Sequence, residues 1–426
     1  MRDASVVSSH RSGEGGHLMS TTIAPVSAAA RFESLDALRG VAVLGILMMN
    51  VQAFLMHPNA YQYPPAHMDL SGANETVWFL SHVFFEMKFI TIFSALFGAG
   101  IVLMVGEASD APLGLHYRRM IWLLGFGLVH AYAFWYGDIL VSYAAVGMVA
   151  VLFRAMPASK LILWGAFWIA VTGLLMLVFF GAFALSPETL DPVETGMAPS
   201  AEDLAHWVAA YQAGFWARLP GNAVFALFGE LFSLTLLAGR LVGVMFVGMA
   251  LFKTGFLTLQ WRARAYAAGA AIGLGIGLPL VWFGGRHAVA SQFALDEMWV
   301  HMATNYFGSL AVAFGYAALI MLVCKPGWLR LARLPFAAAG RMAFTNYLTQ
   351  TLIMTFIAVG GIGLGYYGRV ERIDQVKIVL AVWIVQLVVS TLWLRFFRFG
   401  PFEWAWRSLS YGRVQPFLRD DAERSG

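Results

Sequence analysis

Charge is scarce in this chain. Its 24 Asp and Glu and 28 Lys and Arg make up 12% of 426 residues, about half of the ~25% usual in soluble proteins. That shortage excludes a water-soluble globule, which would need far more charged surface at this length. Cysteine is rarer still. Cys324 stands alone, so an internal disulfide framework and a cysteine-based metal cage are both excluded. The H-E-x-x-H spacing of a zinc site does not occur, and no metal site is expected. The first thirty residues lack an uninterrupted apolar core beside a basic start, so they do not read as a cleavable signal peptide. No clear inverted repeat or pair of broken helices, the mark of many transporters, stands out either.

What the chain has instead is apolar residues, 59% of the total, in repeated runs of about 20, the length that crosses a bilayer as a helix. The runs predict an all-α, polytopic integral membrane helical bundle of about ten transmembrane helices, at 35–56, 77–105, 117–136, 138–156, 160–185, 222–252, 263–284, 301–324, 337–360 and 376–399. Counting the first and last five residues of each span with the adjoining loop, 21 of the 28 Lys and Arg go to the N-terminus, the even-numbered loops and the C-terminus, and 5 to the odd-numbered loops. Lys88 and Arg240 lie deep inside spans and complete the 28. By the positive-inside rule both termini are expected to be cytoplasmic. The net charge of +4 and pI near 9.2 therefore report topology; membrane lipids are the expected surroundings and no nucleic-acid role follows.

Three regions are expected. Residues 1–30, rich in Ser, Gly and Ala, read as a disordered cytoplasmic tail, with Met19 a second candidate start. Residues 31–400 form the transmembrane helical domain. Residues 401–426 read as an amphipathic basic tail on the cytoplasmic leaflet. The outer loop at 186–221 carries Glu188, Asp191, Glu194, Glu202 and Asp203 beside Trp207, Tyr211 and Trp216. It reads as an interfacial cap with its aromatics at headgroup level.

Glycine patterns divide into scaffold and coincidence. Gly269, Gly273 and Gly277, at i, i+4 and i+8, permit close helix packing. Gly363, Gly365 and Gly368 satisfy G-x-G-x-x-G formally, but without the strand and helix that a nucleotide site requires.

Ionisable groups inside apolar spans carry more information, because each costs at least about 2.5–3.5 kcal/mol at the bilayer centre. Arg31, Asp36 and Arg39 open the first span at the cytoplasmic rim. They are either an orienting ion pair or a site for an anionic group entering from the cytoplasm. His82 and Glu86 are i, i+4 and share a helix face, whereas Lys88, two residues on, requires a partner on another helix. His130 ends the third span shortly before Gly137-Asp138, where Asp138 is placed to cap the next helix. Histidine and carboxylate at one membrane level are also the parts of a general base and its orienter. His82, Glu86, His130 and Asp138 are thus the candidate catalytic set, expected in one outer-leaflet cavity. Glu230 and Arg240 are too far apart in sequence for an intrahelical bridge. Arg341, Thr345 and Thr349 form one polar stripe, with Asn346 and Gln350 beside it, and such a flank either bonds to other helices or lines a cavity.

The segment from Arg31 through Leu35-Asp36-Ala37-Leu38-Arg39-Gly40 to Ile46, closing on Asn50, resembles the opening of the YeiB family, also called domain of unknown function 418. So do Lys88-Phe89 before Leu96-Phe97-Gly98-Ala99-Gly100, and His130 with Gly137-Asp138-Ile139-Leu140. Gly340-Arg341-Met342-Ala343 with Thr345-Asn346-Tyr347, and Gly400-Pro401-Phe402-Glu403-Trp404 to Tyr411-Gly412-Arg413, complete the resemblance from residue 31 to the end. The L-D-x-L-R-G start is also similar to that of the broader membrane acyltransferases, the acyltransferase-3 and heparan-glucosaminide N-acetyltransferase families. That resemblance implies transfer of an acyl group from cytoplasmic acyl-CoA, acetyl-CoA first among them, to a small-molecule, glycan or lipid-linked acceptor at the outer face of a bacterial cytoplasmic (inner) membrane. It implies donor binding by Arg31, Asp36, Arg39 and Arg341, and a substrate cavity lined by Asn50, Lys88, Arg240, Thr345, Asn346 and Gln350. The chain departs from acyltransferase-3 proteins in having Asn50 and Gln350 where they carry histidines, so His130 or His82 must supply any base. The competing expectations are a transporter or flippase using Glu86, Lys88, Glu230 and Arg240, and a non-catalytic membrane protein.

Overall fold

The computed structural model describes residues 33–185, 190–325 and 329–420. The expected tail at 1–30, Arg31 and Glu188 lie outside the described residues. The rest is helical: α1 (Glu33–Leu55), α2 (Gly72–Phe84), α3 (Lys88–Val105), α4 (Gly114–Val129), α5 (Leu140–Ala150), α6 (Ala158–Gly181), α7 (Ala201–Ala213) and α8 (Phe215–Phe232). They are followed by α9 (Ala238–Lys253), α10 (Ala263–Ala290), α11 (Met298–Cys324), α12 (Arg330–Arg341), α13 (Ala343–Ala358), α14 (Arg372–Phe396) and α15 (Pro401–Tyr411). Among the described residues there is no β-strand, only an isolated bridge between Phe397 and Leu418.

Seven helical segments among the described residues, rather than about ten, are long and apolar enough to cross a membrane: 33–55, 72–105, 158–185, 215–253, 263–290, 295–324 and 372–396. The other three expected runs are helical but interrupted. A π-helical turn at His130–Phe134 follows α4, a 3₁₀ turn ends α5 at Phe153, and Met342 separates α12 from α13. Two of the long spans are interrupted as well, although the sequence showed no paired breaks. Met87, with φ of 63°, separates α2 from α3, and a second π-helical turn at Ser233–Leu237 joins α8 to α9. Neither interruption contains a proline, the usual sign in sequence.

The apolar window of α1 is 83% buried, against 28%, 28% and 22% for those of α6, α10 and α14. α1 is therefore the central post, and the other three turn wide apolar faces outward, as lipid-facing helices do. Its first turns pack on α12 through two glycines from separate family-like motifs. A Cβ on Gly40 would strike the Phe336 carbonyl, and one on Gly340 the Asp36 carbonyl. Gly340→Ala is expected to cost about 1–3 kcal/mol, because backbone rather than a flexible side chain stands in the way. An unaltered thermal midpoint in detergent would show that this crossing is not tight. The glycine stripe of α10 is scaffold in the same sense: Gly273 and Gly277 abut the backbone of α11 at Ala311, Gly315 and Gly308.

At the end of the bundle where α1 begins, α15 is bound into the structure. Glu403 accepts hydrogen bonds from the Phe344 and Thr345 amides at 2.7 and 3.0 Å and from the Thr345 hydroxyl at 2.5 Å. It supplies from a distance the cap that the first turn of α13 lacks locally. Burial pushes its carboxyl above the usual range, and these bonds oppose the rise. Trp406 donates to the Arg119 carbonyl at 2.9 Å beneath the Arg119 guanidinium, 4.1 Å from the ring centroid.

Candidate functional site

His130 is the first residue of the π-helical turn that ends α4. Its Nδ1 is 2.6 Å from Asp138 Oδ1 and its Nε2 is 2.8 Å from Thr351 Oγ1 on α13. A carboxylate can only accept, so the Nδ1 proton points at Asp138; neutral Nε2 is then the acceptor and Thr351 the donor. Asp138 performs both roles open to it, because its other oxygen accepts from the Val141 amide at 2.8 Å in the first turn of α5. The three side chains are buried, with His130 3% and Thr351 1% exposed. The π-helical turn that begins at His130 leaves carbonyls to be satisfied from outside, and α8 satisfies these. Asn222 donates to Ala131 and Tyr132, and Arg218 to Ala133, at 2.8–3.0 Å. Glu230, also on α8, adds a second carboxylate near Asp138. The π-helical turn between α8 and α9 returns to the same junction, where Ser233 and Ser142 hydroxyls are 2.8 Å apart. Single π turns are rare and concentrate at functional sites.

His82 and Glu86 form a second pair, Nδ1 to Oε2 at 2.6 Å. The break at Met87 turns Lys88 back so that its ammonium donates to the His82 carbonyl at 2.6 Å and to Asn305 Oδ1 on α11 at 2.7 Å. The partner on another helix that the spacing required is Asn305. His82 Nε2 is buried without a hydrogen bond, Trp78 stacks on the ring, and the His301 ring lies 6.1 Å away. Arg240 binds the Tyr306 carbonyl, Thr91 and Ser309 at 2.7–3.0 Å. No hydrogen bond among the described residues joins this group to the His130–Asp138 pair. Nor do three His, Cys, Asp or Glu side chains converge there as a metal site.

The polar flank of α13 is occupied mostly by helix–helix bonds. Gln350 donates to Gln386 and to the Val43 carbonyl, Asn346 to Ser390 and the Ala339 carbonyl, and Thr345 holds Glu403. Asn50 is half-buried late in α1. Of the donor-binding candidates, Arg39 pairs with Asp36 at 3.0 Å, and Arg341 lies beside the tight crossing with Nη2 3.4 Å from the Arg398 carbonyl. Sequence reasoning passed over Thr351, Asn305 and Asn222. The one available signal for Thr351 was its i+4 relation to Tyr347, a stripe next to those identified.

At the opposite end, the cap turns two of its three aromatics inward: Trp207 donates to the Tyr367 hydroxyl at 2.6 Å, and Tyr211 stacks on Tyr367 at 3.9 Å, whereas Trp216 is 80% exposed. Beneath it the His57 amide donates to His67 Nδ1 at 2.9 Å. Burial pushes both imidazoles down to about 4. Unfolded histidines titrate near 6.5, so between about pH 6.5 and 4 the unfolded chain binds more protons and stability falls as pH falls. The thermal midpoint is expected to drop on acidification from pH 7 to 5, and less so in His67→Asn. A midpoint independent of pH over that range would contradict this.

Fold and sites define an all-α polytopic membrane protein with two buried histidine–carboxylate pairs. The chain belongs to the YeiB/DUF418 family. The model of that family, described as a protein of unknown function (DUF418), matches residues 251–413. The uncharacterized protein YeiB of Escherichia coli (strain K12) is 31% identical over 402 residues, covering 90% of this chain and 97% of its own length. The uncharacterized protein YxaH of Bacillus subtilis (strain 168) is 30% identical over 427 residues, 94% of this chain and 99% of that protein. An uncharacterized 39.9 kDa protein of Bacillus acidopullulyticus is 26% identical over 409 residues, 92% of this chain and 98% of its own. Similarity therefore runs nearly end to end, including the N-terminal helices that lie before the family model's match.

Proposed function

We propose that the protein is a membrane acyltransferase in which His130, oriented by Asp138, is the general base. The observation that carries this reading is the hydrogen-bonded series from Asp138 through His130 to the Thr351 hydroxyl, which leaves Nε2 as the basic atom facing a hydroxyl. Transfer from a thioester to an alcohol or amine needs such a base to take the proton of the attacking group. The donor in this reading is an acyl-CoA, with Arg39 and Arg341 at the α1–α12 crossing as partners for its phosphates. The acceptor is a small-molecule, glycan or lipid-linked group at the opposite face. The Lys and Arg asymmetry supports cytoplasmic termini, and the bacterial relatives support the inner membrane. Reporter fusions that put Gly426 outside would overturn this orientation. Labelled acetyl-CoA should bind the purified protein in detergent, and the charge-reversed double variant, Arg39→Glu with Arg341→Glu, should bind it at least about 10-fold more weakly. Absence of binding to the wild type would refute the donor.

One observation favours a second reading, a transporter: the break at Met87 buries Lys88 and the His82–Glu86 pair within one interrupted span. Interrupted helices with buried ionisable groups also build substrate and proton paths. Uptake into proteoliposomes that survives His130→Ala and is lost in Glu86→Gln would favour it over acyl transfer.

A further inference from the structure

We propose that Thr351 carries the acyl group covalently, so that transfer proceeds through an acyl-threonine ester; this rests on the acyltransferase reading and deepens it. In an apolar helix a threonine hydroxyl ordinarily bonds back to the carbonyl four residues earlier. Thr76, Thr91, Thr235, Thr304, Thr349 and Thr391 all do so here. Thr351 directs its hydroxyl across 2.8 Å to His130 Nε2 instead. A hydroxyl on the basic nitrogen of an imidazole whose other nitrogen is held by a carboxylate is the arrangement that activates an oxygen nucleophile.

The neighbouring position supplies a fourth component. Tyr347 precedes Thr351 by one helical turn, so both face the same way. Its ring centroid is 5.2 Å from that of His130, and its buried hydroxyl, whose oxygen lies by the Ile139 amide, donates to no acceptor. An unused donor one helical turn from a nucleophile, on the same face, is suited to the oxygen that becomes negative when a carbonyl is attacked. Burial of Thr351 also shields an ester at Oγ1 from water, which favours transfer over hydrolysis.

The chemistry balances with a thioester as the one co-reactant. Thr351 Oγ1 attacks the thioester carbonyl as its proton passes to His130 Nε2, the C–S bond breaks, and the thiolate leaves with that proton. In the second half, an acceptor hydroxyl or amine gives its proton to His130 and attacks the ester carbonyl. The C–Oγ1 bond breaks and Thr351 recovers the proton.

The first half needs no acceptor, which makes it testable with acetyl-CoA alone. Wild-type protein in detergent should release free CoA thiol in a burst of about one per chain, and an acid-quenched digest should carry one acetyl group on the peptide containing Thr351. Thr351→Val should bind acetyl-CoA normally yet slow the burst by about 10³-fold or more, and Thr351→Ser should restore burst and label. Tyr347→Phe should slow the burst by about 10²- to 10³-fold with binding intact. Acetyl-CoA binding without a burst, an acetyl group on another residue, or an undiminished burst in Thr351→Val would overturn the covalent step and leave direct transfer. No binding at all would remove the acyl-CoA reading and the covalent step together.

Discussion

His130→Ala lowers acyl transfer by about 10²- to 10⁴-fold, the usual loss on removal of a general base. Two hydrogen bonds go with the ring, so some loss of stability accompanies it, and the diagnostic quantity is the rate per folded molecule. Asp138→Asn separates orientation from basicity. An amide can donate to Nδ1, which invites the opposite tautomer and puts a proton on Nε2, where the base is needed. In a comparable triad that exchange alone costs about 10⁴-fold. Asp138 also caps α5 through the Val141 amide, a contact that the Asn side-chain oxygen preserves. Asp138→Asn should therefore melt close to the wild type while losing transfer. Full specific activity in His130→Ala would remove His130 from the chemistry, full specific activity in Asp138→Asn would remove Asp138 as its orienter, and normal specific activity with poor yield would assign the pair a packing role.

Lys88 is expected to have a large effect on stability. It is 0% exposed, and its ammonium joins the end of α2 to α11 across the break at Met87. Lys88→Met leaves Asn305 and the His82 carbonyl without their donor and Glu86 without the nearby cation, a loss of about 3–5 kcal/mol. The double variant Glu86→Gln/Lys88→Met retains no unpaired buried charge at this break and should recover part of that loss. Thermal denaturation in detergent reads both. A Lys88→Met protein within about 0.5 kcal/mol of wild type would show that the cation is solvated in the folded state.

The sequence by itself determined whatever depends on composition and on spacing along one helix. Scarce charge and apolar runs required membrane helices, because only internally bonded backbone is tolerated in lipid. The i, i+4 spacing of His82 and Glu86 required their contact, since helix geometry fixes which residues share a face. His130 and Asp138, eight residues apart across a tight junction, were legible for a similar reason. The need of Lys88 for a distant partner was legible, but Asn305, 217 residues away, was not. Thr351, 221 residues from His130, was equally hidden. Those pairings follow from which helix faces pack together, as do the glycine crossing of α1 on α12 and the capping of α13 by Glu403. The breaks at Met87 and in the two π-helical turns were hidden too, because no proline announces them and the groups that satisfy their backbone, such as Asn222 and Lys88, come from other turns of the chain. Local periodicity fixed the helices and their short-range pairs, whereas only tertiary packing decided which hydroxyl faces the buried imidazole.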